Sequence, residues 1–129
     1  PRRPFWLVSL RGLTLADDLA DRVSPLATLP LDATSLPGYR QQGVFLQAGY
    51  SRDRPHILTR NERCRIVGLG GDDHIALHEC DATFGDSGSP ILLRQGDAYH
   101  IVAIHIGINN RTGRGVALTG KAFHRWLEQ

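Results

Sequence analysis

Gly85-Asp86-Ser87-Gly88-Ser89-Pro90 lies between Cys80 and the apolar run Ile91-Leu92-Leu93, and its reading decides the fold. Glycines on either side of Ser87 let the backbone turn tightly and leave the serine hydroxyl exposed. The same composition also makes an ordinary Gly/Ser/Asp turn, so the flanks must decide between the two. Downstream, Pro90 to Leu93 suits a short buried strand.

Upstream, the runs Cys64-Arg-Ile-Val-Gly-Leu-Gly and His74-Ile-Ala-Leu-His-Glu-Cys80 flank a turn at Gly71-Asp72-Asp73 and read as a hairpin. Centring it on position 72 sets Cys64 directly opposite Cys80, close enough for a disulfide. Closing a loop of this size is worth on the order of 3 kcal/mol in the chain-entropy model. An oxidised bridge in turn predicts an exported protein, secreted or periplasmic.

Further strand-type runs are Phe5 to Leu10, Val44 to Tyr50, Tyr99 to Ile106 and Val116 to Leu118. From Gly43 onward, six short runs separated by Gly/Asp/Asn turns predict a small antiparallel barrel. Thr119 is placed to cap a terminal helix in which Ala122, Phe123, Trp126 and Leu127 share one face. Between the first run and the barrel, Pro25, Pro30 and Pro37 interrupt residues 11–39, which reads as a connector over the surface.

The 129 residues, 41% of them hydrophobic, are enough for one domain with one core. Net charge is only +2, and the arginines of the Arg52 to Arg65 region alternate with Pro, Ile and Leu, so nucleic-acid binding is not indicated. No apolar run approaches the roughly 18 residues of a membrane span. Pro1-Arg2-Arg3-Pro4 is not a signal peptide, and the chain is expected to begin inside a longer precursor.

The order of these parts resembles the second barrel of a chymotrypsin-fold serine protease, within the bacterial V8-like or glutamyl endopeptidase-like group. Three matches carry the resemblance: His78-Glu-Cys-Asp-Ala-Thr-Phe-Gly-Asp-Ser-Gly-Ser-Pro90, Ile104-His105-Ile106-Gly107, and the terminal helix. It implies an all-β fold, a chymotrypsin-like antiparallel six-stranded barrel with a C-terminal helix. Residues 43–129 would form that barrel, and residues 1–42 the last strand of a first barrel and the interdomain connector.

The resemblance also implies a chemistry. Ser87 would attack a peptide carbonyl, and the N–H groups of Gly85 and Ser87 would stabilise the oxyanion. His105 and Gly107 would line the pocket for the substrate side chain, where the imidazole would hydrogen-bond a glutamate carboxylate. Equally, His105 reads as a strand histidine packed at the barrel rim. Asp81 either selects a basic substrate residue or bonds the loop backbone, so acidic, basic and small preferences all stay open. Asp86 would accept a donor that holds the loop in shape.

Two members of the group's His-Asp-Ser triad have no counterpart here. His56, His74 and His78 precede Ser87, none in an Ala-Ala-His-Cys setting, and Pro4 stands at the aspartate position. A serine without a base in reach is a poor nucleophile near pH 7. The expected partner is therefore an N-terminal protease fragment carrying the histidine and aspartate, and the expected substrate a peptide or protein. The alternative is an inactive homologue that binds peptides or acts as a scaffold. No cofactor is expected and no metal: four residues along a strand separate His74 from His78 by roughly 13 Å, and His100 and His105 alternate to opposite faces.

Overall fold

The computed structural model describes residues 26–51, 54–80 and 88–127. The predicted strand at Phe5 to Leu10 and Pro4 lie outside them, as do Asp81 and the loop residues Gly85, Asp86 and Ser87. A short helix α1 (Leu36–Gln42) is followed by strands β1 (Val44–Ser51), β2 (Arg54–Cys64), β3 (Ile66–Gly70), β4 (Ile75–His78), β5 (Pro90–Gln95), β6 (Ala98–Ile108) and β7 (Gly115–Thr119), and by helix α2 (Gly120–Leu127). All ladders are antiparallel, in the order β2-β1-β5-β6-β7-β4-β3. The fold is mostly β, with a short C-terminal helix.

Strands β2 and β3, the two ends of this order, follow one another in the chain with Arg65 between them. The ladder is not closed by hydrogen bonds: its two outer strands meet end to end. Several links gather at this corner. Phe45 pairs with Cys64 on one side and Ile66 with His78 on the other. The Cys64–Cys80 disulfide spans the corner with Cα atoms 4.4 Å apart, and the Glu79 N–H donates to the Arg65 carbonyl at 2.8 Å. Arg40 Nη2 donates to the Ile66 carbonyl. The result is barrel-like.

The six predicted runs from Gly43 onward are β1, β3, β4, β5, β6 and β7, each matched within a residue or two at its ends. Strand β2 is an addition. Its polar run Arg60-Asn-Glu-Arg63 carries no alternating apolar signal, and pairing with β1 is what makes it extended. The expected hairpin register holds at its base, Ile66 opposite His78, and a bulge at Val67 then shifts it by one residue. Gly71, Asp72 and Asp73 at its tip all have φ near +60°.

Alternation along the strands separates two apolar layers. The inner face carries Phe45, Ile66, Ala76, Ile91, Leu93, Ala103 and Ala117. On the outer face Leu118 packs with Ile75, Ile101, Ile104 and Ile106 under Ala122 and Phe123 of α2. Thr119 caps α2 as expected, its hydroxyl accepting the Ala122 N–H at 3.4 Å while donating to the Asp73 carbonyl. Sequestering this outer layer is the amphipathic helix's main contribution.

Residues 26–42 differ from a plain surface connector. Leu31 is fully buried and Leu36 nearly so, both within the inner core. Asp32 turns the chain by accepting the Thr34 and Ser35 N–H groups, bonds that lower its pKa. Pro37 then sits in the first turn of α1, where its missing N–H costs nothing. Just upstream, the Leu29 N–H donates to the Ile101 carbonyl and the Ile101 N–H to the Ala27 carbonyl, adding a short parallel bridge to β6.

Candidate functional site

The far end of the serine loop is fastened to β6 at one residue. The Gly88 N–H donates to the His105 carbonyl at 2.7 Å, and the His105 N–H donates to the Ser89 carbonyl at 2.8 Å. Gly88 has φ +91°, a backbone shape that a side chain resists, which is why glycine follows Ser87. Ser89 is buried, and Pro90 opens β5 opposite Ile104. The residue after Ser87 is thus set in place by the strand that carries His105.

The His105 side chain points inward and meets His78. The two imidazoles are 0 and 1% exposed, with His78 Nε2 2.9 Å from His105 Nδ1 and the ring centroids 5.0 Å apart. Strand β7 explains how they touch. His78 on β4 pairs with Gly115, and His105 on β6 pairs with Ala117, two residues on along the same face. Small residues at these positions leave the two rings room to meet across β7. A Cβ on Gly115 would overlap the His78 ring.

The other nitrogen of His78 is engaged as well: Nδ1 accepts the Cys80 backbone N–H at 3.1 Å. Burial, and then the neighbouring His105, push the His78 pKa down to about 4, because a charged ring would lose its water and face another imidazole. His78 is therefore neutral at pH 7. Compared with known proteins, the chain matches no family model and no curated protein.

Of the residues expected at the site, His105 is therefore buried and bonded, more deeply placed than a rim histidine. Gly107 follows a bulge at Ile106 and pairs with Val116, on the face opposite that of His105. Cys64 and Cys80 form the expected bridge. One expectation is reversed: a bulge at Val102 shifts the alternation, so His100, opposite Leu93, shares the inner face with His105. Among the described residues, no three His, Cys, Asp or Glu side chains gather into a metal-binding group. Two open clefts of about 420 and 450 Å³ lie beside β1, and neither is lined by His78 or His105.

The histidine pair itself escaped the sequence reading because its members are 27 residues apart and on non-neighbouring strands. A signal was nevertheless present. Gly115 and Ala117, small residues at alternate positions of a predicted strand, mark a place where something large crosses the sheet face.

Proposed function

We propose that this chain supplies the nucleophile-bearing barrel of an exported serine endopeptidase, with residues 43–129 forming a six-stranded chymotrypsin-like barrel. The supporting observation is the anchoring of Gly88 and Ser89 on the backbone of His105, which fixes the exit of the Ser87 loop against the sheet. The disulfide fits an oxidising compartment. In this reading Ser87 Oγ attacks the peptide carbonyl carbon while an imidazole on a separate N-terminal part takes its proton. The N–H groups of Gly85 and Ser87 hold the oxyanion. The C–N bond then breaks, the amine leaves with that proton, and water hydrolyses the acyl-enzyme. An extended substrate would pair with the backbone beyond Ile104, and its side chain would be read near His105 and Gly107.

A second reading is a non-catalytic peptide-binding relative. What favours it is that His78 has both ring nitrogens occupied, by Cys80 and His105, and so cannot serve Ser87 as a base. A fluorophosphonate probe separates the two readings. Native protein from its source is treated with the probe, and the label is located by peptide mass spectrometry, with Ser87→Ala as control. Labelling at Ser87 is expected. Absence of label, under conditions that modify an ordinary serine protease, would overturn the endopeptidase reading and leave the binding one.

A further inference from the structure

We infer that His78 is a positioning residue that holds His105 as a neutral imidazole with its proton on Nε2, through a one-way hydrogen-bond chain starting at the Cys80 backbone. A backbone N–H can only donate. Since the Cys80 N–H points at His78 Nδ1, that nitrogen must be bare. A neutral imidazole carries one proton, so in His78 it sits on Nε2 and points at His105 Nδ1, 2.9 Å away. His105 Nδ1 is then the acceptor, and its own proton is confined to Nε2.

The chain also explains why neither ring can gain a proton without damage. A cationic His78 would set an Nδ1–H against the Cys80 N–H. A cationic His105 would set an Nδ1–H against the His78 Nε2–H. Each case places two donors face to face at a site buried from solvent. Three features hold the chain in register: the disulfide fixes Cys80, Gly115 gives the His78 ring its space, and Gly88 and Ser89 clamp the His105 backbone. Whatever group meets His105 Nε2 therefore meets a hydrogen-bond donor and must itself accept.

This order of protons does not involve Ser87, so it stands or falls separately from acyl transfer. The test is NMR of the full protein labelled with 15N at histidine, at pH 7. The expected result is one protonated and one bare ring nitrogen in each of His78 and His105, with Nε2 protonated in both, and a coupling across the bond from His78 Nε2 to His105 Nδ1. A proton on His105 Nδ1, or an imidazolium in either ring, would overturn the inference. His78→Gln, whose amide N–H can still donate to His105, should keep His105 in the Nε2–H form. In His78→Leu that single form should be lost, and a leucine variant in which it persists would show that His78 does not set it. The wild-type spectrum decides the matter even if the leucine variant fails to fold.

Discussion

Acidification should unfold this protein through His78, and the size of the effect follows from its burial. The His78 pKa falls from 6.5 to about 4 in the folded state, so between these values the unfolded chain binds a proton that the folded chain refuses. Stability is then full above pH 6.5, declines as pH falls towards 4, and has no further His78 contribution below that. At about 1.36 kcal/mol per pH unit, the gap amounts to about 3 kcal/mol. That is a large part of the roughly 5–15 kcal/mol that holds a domain together. With a urea dependence of about 1.5 kcal/mol per molar, the midpoint should drop by about 2 M between pH 7 and pH 4. Other groups contribute at lower pH: Asp32, whose pKa is lowered below 3.8, loses its share only as pH falls beneath that value. Glu79, next to His78, lies exposed between Arg65 and Arg114 at 3.7 Å from each. Urea titrations followed by fluorescence or circular dichroism at each pH would measure the drop. His78→Gln isolates the histidine, because it leaves nothing at position 78 to titrate. A variant whose midpoint falls as far as that of the wild type would refute the reasoning.

Three further substitutions test the packing around the pair and the hairpin tip. Gly115→Ala should cost about 3 kcal/mol, the upper end of overpacking, since its Cβ would overlap a fully buried ring. Gly70→Ala on the neighbouring hairpin, with nothing within 4 Å of its Cβ, should stay within about 1 kcal/mol. Thermal melts of both decide this, and equal losses would count against the account of β7. Asp72→Gly should raise the urea midpoint by the equivalent of about 0.5–1 kcal/mol, because Asp72 sits at φ +56° and, among the described residues, its bond to Lys121 is made by the backbone carbonyl that glycine keeps. A lower midpoint would mean that the aspartate side chain contributes more than its backbone strain costs.

Most of the strands, and the hairpin register at its base but not beyond the Val67 bulge, were legible in the sequence because each rests on a local signal. Turn residues at 71–73 mark the hairpin that brings Cys64 to Cys80, and short apolar runs mark β5 and β7. Thr119 likewise announced α2. What escaped depends on contacts between distant residues. Strand β2 is polar and becomes a strand only by lying along β1. The Val102 bulge, which turns His100 and His105 to one face, has no local marker. Leu31 looked like part of a connector, yet it fills the inner core because residues 27–29 lie along β6. The loop residues expected to act, Gly85 and Ser87, lie outside the described residues.

The anchoring of Gly88 and Ser89 differs from that of a plain turn. An ordinary surface turn is held by its own residues, through short-range hydrogen bonds of the Asn, Asp or Ser type. Here the exit of the loop is held by His105 from within the sheet, through two backbone bonds. The His105 ring is in turn held by His78, and His78 by a backbone N–H beside a disulfide. Burying two imidazoles has a cost in desolvation, and an apolar pair would fill the same space without it. Such an arrangement makes physical sense where position and hydrogen-bond direction beside the loop matter more than stability. Plain turns have no need of either. The buried histidine pair therefore gives a fixed position and hydrogen-bond direction to the strand residue that anchors Gly88 and Ser89.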